Sequence, residues 1–385
     1  MSARKILVFV GSRANYSSIR TAMAAIQAHP DLELQTVVGA SALLDRFGRV
    51  ADLVARDGFS IHGNFHMIIE GENPTTMAKS TGLGMIEMAT VLEALKPDCV
   101  LVVGDRFEIA AVALAAAYMN IRVAHTMGGE VTGTIDESIR HAVTKLAHVH
   151  FPANIESAER IVKMGEPPEH VFTVGCPRID LVAEILEKPD LPDSFFDVHH
   201  GVGPKFDLRK PFLLVSQHPV TTEYGESRRQ IEETLWALEG LKLPTIMLWP
   251  NVDAGSEDIS KGIRTFREHH APDWLHLFIN LPTDAYVRLM NRTACLIGNS
   301  SSAIREGAFI GVPAVNIGTR QHSRQRGENV IDVDHERAQI VEAVRAQLLH
   351  GRYATEPIYG DGHAGKRIAD VLAGVDVPVQ KRLAY

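Results

Sequence analysis

The chain is 385 residues long, 45% hydrophobic and 22% charged, a composition that suits a globular protein with room for two domains and two separate cores. Its net charge of -8 argues against a nucleic-acid surface, which shows as a basic stripe, so any anion it holds is gripped locally. Cys99, Cys176 and Cys295 lie far apart with no CxxC, suggesting neither a disulfide framework nor a zinc ribbon, and a reducing cytosol fits best. The run KILVFV begins within a few residues of Met1 and no apolar run reaches membrane-spanning length, so neither a signal peptide nor a membrane anchor is expected. A cytoplasmic location follows as the expectation.

Short apolar, β-branched runs alternate with helical patterns along the chain, the pattern of an α/β protein with doubly wound, largely parallel sheets. In the first half the expected strands are KILVFV, LQTVVG, CVLVVG, RVAHT and VFTVG; in the second they are FLLVS, TIMLW, LHLFI, CLIGN, PAVNI and NVIDV. The segment 186–210, rich in Pro, Asp, His and Gly, reads as a linker. The expected division is therefore a domain over 1–185, the linker, a domain over 211–364, and a final helix and tail over 365–385 that packs back on the first domain. In open α/β sheets ligands bind beyond the carboxyl ends of the strands, and two such sheets are expected to face a shared crevice.

The loops after the strands carry the unusual residues. GSRANYS follows the first strand and puts Arg13 where a guanidinium can take phosphate oxygens in a bidentate pair, or else sit on the surface. It holds no GxGxxG, so the nicotinamide fingerprint is absent. In GDRFE, Asp105 and Arg106 close a very apolar strand, where a carboxylate serves chemistry or a turn-shaping pairing. In HTMGGEVTGTIDESIRHAV, Thr134 and Glu137 make a capping box ahead of an apolar face of Ile139, Val143 and Leu146. That leaves Glu130 and Asp136 as the carboxylates able to reach a ligand. His141 and His148, seven apart on one expected helix, suit packing or solvent better than a metal. The pairs His199-His200 and His269-His270 read as surface.

In the second half, His218 in QHPVTT follows a strand and precedes a proline, a place for an acid or base near neutral pH or for an ordinary turn residue. In GNSSSAIREGAF, three hydroxyls lie between a strand and a helix expected from about Ala303, where unpaired N–H groups and the helix dipole favour a phosphate. The competing reading is a single serine cap, which does not need three hydroxyls and Asn299. Glu306, a turn further on, is placed either to accept from a ribose diol or to face solvent.

Taken in order, GSRANYS, GDRFE, GGEVTGTIDESIRHAVTKLAH, QHPVTT, PNVDAGS, GNSSSAIREGAF, GTRQ, GENVI and YGDGHA resemble the UDP-N-acetylglucosamine 2-epimerase family. The likeness is to its hydrolysing branch and to the epimerase half of the bifunctional epimerase/kinase of sialic acid synthesis, and it runs from about Lys5 to Ala373. The resemblance implies two Rossmann-like domains in the glycosyltransferase-B architecture and a homodimer or homotetramer. It implies diphosphate or uridine contacts from Arg13, Ser17, Ser300, Ser301 and Arg320, substrate contacts from Arg106 and Asn251, and a ribose contact from Glu306. Acid/base work falls to Asp105, Glu130, Asp136 and His218. The implied partner is a UDP-sugar, with no redox cofactor and no metal required.

The implied chemistry is elimination of UDP to a glycal, with a carboxylate removing the weakly acidic C2 proton, then hydration to free N-acetylmannosamine. Competing outcomes are a non-hydrolysing UDP-sugar 2-epimerase, a non-catalytic UDP-sugar-binding protein and, last, a glycosyltransferase. Three positions depart from the family pattern: Asn15 where relatives often have Asp, Ala42 where many have His, and Met127 where many have Glu in HxEGGE. A thioether transfers no proton, so with Met127 in a catalytic slot Glu130 or Asp136 must carry the step or activity is low; the hypothesis is a changed sugar, such as a further acetamido or deoxy sugar nucleotide, on an intact diphosphate grip, with unmodified UDP-N-acetylglucosamine as the default.

Overall fold

The computed structural model describes residues 3–45, 48–70, 74–132, 135–250, 255–279 and 281–384. Two compact units are present: Met1–Val131, Ile135–Leu181 and Tyr359–Tyr385 in the first, Thr132–Thr134 and Val182–Ile358 in the second.

In the first unit β1 (Arg4–Val10), β2 (Leu32–Gly39), β3 (Ile61–Phe65), β4 (Cys99–Val103), β5 (Arg122–Thr126) and β6 (Val149–Phe151) form one parallel sheet in the order β3-β2-β1-β4-β5-β6. Successive residues of β1 feed opposite faces, as strand geometry requires. Ile6, Val8 and Val10 join the core under the helices Arg20–Ala28 and Ala364–Gly374. Leu7 and Phe9 join the core under Pro74–Leu95, Phe107–Tyr118 and Ile135–Leu146. Ile139, Val143 and Leu146 lie on that second core, as the helical spacing predicts.

In the second unit β7 (Leu213–Ser216), β8 (Thr245–Leu248), β9 (Leu275–Phe278), β10 (Cys295–Gly298), β11 (Ala314–Ile317) and β12 (Val330–Val333) form a second parallel sheet, ordered β12-β11-β10-β7-β8-β9. The doubly wound α/β class is as expected. Leu213 and Val215 face one core, Phe212 and Leu214 the other.

Two sequence expectations give way. VFTVG is not a strand: it makes one parallel bridge, His150 to Val171, and then leaves β6 as the Cys176 N–H donates to the Tyr359 carbonyl at 2.7 Å. The first sheet is completed instead by β3, a polar edge strand with only Phe65 buried, and by the three-residue β6. The 186–210 segment carries a helix, Phe195–His199, whose Phe195 and Phe196 are 1% and 7% exposed and pack on Phe278. Burying two such rings contributes about 3–6 kcal/mol, so this stretch is part of the second core.

The C-terminal helix belongs to the first unit. The Asp180 carboxylate caps it, accepting from Ala364 N–H at 2.9 Å and Gly365 N–H at 2.6 Å, and Arg4 donates to the carbonyls of Leu372 and Val375 at 2.7 and 2.6 Å. Beyond it the tail is clasped by Glu166, a carboxylate 1% exposed that pairs with Lys145 at 2.5 Å, Lys381 at 2.7 Å and His150 at 3.0 Å. Burial would raise the Glu166 pKa, but hydrogen bonds from His150, Lys145 and Lys381 bring it down to about 2. The three cysteines are free and buried. Among the described residues no helix is long and apolar enough to cross a membrane.

Candidate active site

Strand order locates the place to look. In the first sheet the chain winds outward from β1 through β2 to β3, then returns to the other side of β1 as β4, so β1/β4 is the topological switch point; in the second sheet it is β7/β10. Among the described residues, Arg13, Asp105, His218 and Ser300 lie just after β1, β4, β7 and β10.

In the first unit Ser12 caps the short helix Arg13–Ser17, its side chain accepting from Asn15 N–H at 3.2 Å. Arg13 is thus the first helical residue rather than a loop residue, and its guanidinium lies against Gly48. Ser17 is 7% exposed and its hydroxyl donates to the Arg13 carbonyl at 3.0 Å, which turns it inward along its own helix. Asn15 accepts from Gly11 N–H at 3.2 Å and donates toward the Val103 carbonyl at 3.5 Å, lacing the turn after β1 to the end of β4. An aspartate could not make the second contact. Ala42 is fully buried, with its N–H on the Gly11 carbonyl at 3.1 Å.

After β4, Asp105 pairs with Arg140, a side chain only 3% exposed on the helix Ile135–Leu146. The partner of the carboxylate is thus on a neighbouring helix of the same unit. The same guanidinium donates to the Glu130 carbonyl at 2.7 Å, while Arg160 donates to the Gly129 carbonyl. Two arginines therefore hold the GGE turn through its backbone, and Glu130 itself is 4% exposed. His125 supports the same region: its Nε2 lies 2.8 Å from the Gly104 carbonyl, and burial drops its pKa to about 3. Arg106 reaches Glu108 Oε1 at 3.2 Å with its guanidinium half-exposed. Asp136 lies in the first turn of Ile135–Leu146, close enough for its charge to act on Glu108. Met127 has left-handed backbone at φ +61, and its side chain packs on the first core. A bulky residue rarely adopts that conformation, which costs about 1–3 kcal/mol.

In the second unit Asn299, wholly buried, fixes His218 from both sides: its Oδ1 accepts from His218 N–H at 2.7 Å and its Nδ2 donates to the His218 carbonyl at 2.8 Å. Arg320 and Gln321 donate to the Asn299 carbonyl at 3.2 and 2.9 Å. His218 Nε2 is 3.2 Å from Ser216 Oγ. Burial, and then the charge of Arg320, hold the His218 pKa down to about 3, so the imidazole is neutral rather than poised near pH 7. Gly298, at φ +124, brings β10 so close to β7 that a Cβ would lie 2.2 Å from the Ser216 carbonyl oxygen.

The three serines divide their work. Ser300 accepts from Ser302 N–H at 3.4 Å, and Ser302 Oγ takes Tyr286 OH at 2.7 Å and Ser300 Oγ at 2.9 Å. The expected helix is a short 3-10 turn, Ser301–Ala303, followed by the helix Arg305–Ile310. Glu306 is 4% exposed, so the solvent-facing reading fails.

Asn251 and Thr134, and with Thr134 the capping box, lie outside the described residues; Glu137 lies 3.8 Å from His141. His148 is past the end of Ile135–Leu146 and buried, its Nδ1 accepting from Val123 N–H at 3.1 Å. Sequence reasoning assigned no role to Glu108 or Arg140, and counted Asn299 only toward a phosphate seat. Glu108 stood inside the quoted GDRFE and Asn299 inside GNSSS, so a polar residue in an apolar frame was the available signal.

The UDP-N-acetylglucosamine 2-epimerase family model matches residues 24–373. The chain belongs to that family. Its resemblance to epimerases extends to Legionella pneumophila UDP-N,N'-diacetylbacillosamine 2-epimerase (hydrolyzing), 33% identical over 98% of this chain and 97% of the relative. Neisseria meningitidis serogroup B UDP-N-acetylglucosamine 2-epimerase is 30% identical over 98% of each chain. Among solved structures, the Neisseria meningitidis UDP-GlcNAc 2-epimerase bound to UDP-GlcNAc superposes with a TM-score of 0.82 at 20% identity, covering 96% of this chain and 99% of that one. The Methanocaldococcus jannaschii enzyme in complex with UDP-GlcNAc and UDP gives 0.78 at 17% identity, covering 96% and 99%. These epimerases share the glycosyltransferase-B fold, and the two doubly wound sheets of this family member have that architecture.

Proposed function

We propose that this chain is a hydrolysing 2-epimerase of a UDP-activated 2-acetamido sugar, releasing UDP and the free 2-epimeric sugar. The observation that carries the reading is at the β1/β4 switch point, where buried Arg140 holds both the Asp105 carboxylate and the Glu130 carbonyl and Asp136 lies in the first turn of the same helix, with no dinucleotide fingerprint after β1. The hydrolysing relative that matches end to end at 33% supports the outcome, and the UDP-N,N'-diacetylbacillosamine in its name supports a diacetylated sugar. In this reading Ser301, Arg320 and Arg13 take the diphosphate, Glu306 the ribose, and Ser300, Ser17, Arg106 and Asn251 line the substrate. Asp136 removes the C2 proton as the C1–O bond breaks and its electron pair leaves with UDP. Asp105, ordered by Arg140, activates the water that adds at C1. His218, neutral in the free protein, gains a proton once a diphosphate offsets Arg320 and then serves the leaving oxygen. The reading includes a cytoplasmic homodimer or homotetramer and no cofactor.

The test is incubation with UDP-N-acetylglucosamine and, separately, UDP-N,N'-diacetylbacillosamine in heavy water, with products read by NMR. Free 2-epimeric sugar with deuterium at C2 is expected. Labelled nucleotide sugar would replace the hydrolysing outcome by the non-hydrolysing one, and binding without label would leave a UDP-sugar-binding protein, the outcome that Met127 and Ala42 favour.

A further inference from the structure

Glu108 is the group the mechanism leaves unused. It stands in the first turn of the helix Phe107–Tyr118, directly after β4, and is 2% exposed. It lies against Gly11 across the switch point: a Cβ on Gly11 would sit 2.8 Å from Glu108 Cγ and 3.3 Å from Oε1, so only glycine after β1 admits this side chain. Oε1 takes Arg106 at 3.2 Å, while Oε2 is buried and has no hydrogen-bond partner among the described residues. Burial raises its pKa, Arg106 opposes, and the charge of Asp136 raises it further; these are the charged groups that act on it. A buried carboxyl oxygen without a partner costs about 1–3 kcal/mol. A partner that arrives with the ligand accounts for that arrangement.

Resting on the epimerase reading, we infer that Glu108 is a further general acid of the reaction, holding the proton that C2 receives during hydration of the glycal. Met127, after β5, is a thioether packed on the apolar core, so it supplies no proton. The step balances as follows. In elimination Asp136 takes the C2 proton and the C1–O electron pair departs on UDP. In hydration the water oxygen bonds C1, its proton passes to Asp105, and the C1=C2 electron pair takes the Glu108 proton at C2. One of the two protons now on Asp136 and Asp105 restores Glu108, and the other leaves with UDP and solvent.

The test is Glu108→Gln, which keeps size, neutrality and the acceptor for Arg106 but transfers no proton. On the UDP-2-acetamido sugar that the wild type turns over, the variant is expected to release UDP and the free glycal, and to lose C2-deuterated sugar about 100-fold or more with KM within about twofold. Its melting temperature is expected to be unchanged, and infrared difference spectra against the wild type at pH 7 should show the protonated carboxyl stretch. Wild-type product at the wild-type rate, or no protonated carboxyl band, would overturn the assignment while leaving the epimerase intact. A wild type that turns over no UDP-sugar overturns both. Should the glutamine variant fail to fold, Glu108→Asp, one methylene short, should leak glycal alongside product; product without glycal would again refute the role.

Discussion

Arg140→Met tests whether one buried guanidinium organises the acids. Arg140 is 3% exposed, pairs with Asp105 and donates to the Glu130 carbonyl at 2.7 Å. Removing one partner of a buried pair costs about 3–5 kcal/mol, chiefly because the other charge is stranded. Asp105 keeps 23% exposure, so water compensates in part and the lower end applies, about 3 kcal/mol. For a unit of this size that is a fall of roughly 6–12 °C in melting temperature. Differential scanning calorimetry on Arg140→Met, Asp105→Asn and the double variant closes a cycle. In the Asp105→Asn background the loss should shrink by more than about 1 kcal/mol, because no charge is left stranded, whereas sugar release should stay abolished. A loss below about 1 kcal/mol, or the same loss in both backgrounds, would refute the view that Arg140 acts through the Asp105 charge.

Gly298→Ala should destabilise the second unit by about 3 kcal/mol or more, from a Gly-only backbone conformation and a Cβ 2.2 Å from the Ser216 oxygen, and should abolish UDP binding by calorimetry. The Glu166 clasp has a pH sign: its folded pKa, about 2, lies below its ordinary value of 4.5, so its stabilisation is full above pH 4.5 and is lost as pH falls toward 2. Urea titrations should show the gap between wild type and Glu166→Gln closing across that window; a gap independent of pH would sink the assignment. His218, held at about 3 against an ordinary 6.5, stabilises above pH 6.5 and loses that contribution on acidification, so His218→Gln should flatten the acid decline of the second unit's melting temperature. Asp136→Asn should abolish C2 exchange while UDP affinity by calorimetry stays within about twofold.

The second sheet was legible because its strands are short runs rich in apolar residues and flanked by turn residues, β7, β9, β10 and β11 buried throughout as parallel strands are, with the edge strand β12 left partly covered. The first sheet was legible only at its centre. Ile61–Phe65 is mostly exposed and interrupted by Gly63, so neither apolar continuity nor alternation marks it, and Val149–Phe151 is too short to show a period. VFTVG has strand composition, but its neighbour runs out, and pairing is a property of two segments. At the site, the loops carrying Asp105, His218 and Ser300 could be found from their places after strands. What sequence could not show is which polar groups are spent on each other: Ser302 on Tyr286, Asn299 on His218, Asp105 on Arg140. Those pairings join residues far apart in the chain and exist only once the fold has formed.

The return of the C-terminal helix to the first sheet has a bearing on synthesis. The second unit is an insertion in the first, and every residue of its sheet leaves the ribosome before Ala364–Gly374 does. A nascent chain therefore has the whole of its second sheet in hand while Ile19, Met23 and Ile26 still wait for Ile368 and Leu372 to cover them. Synthesis of this last helix, after the whole second sheet, is the event that seals the half bearing the acids.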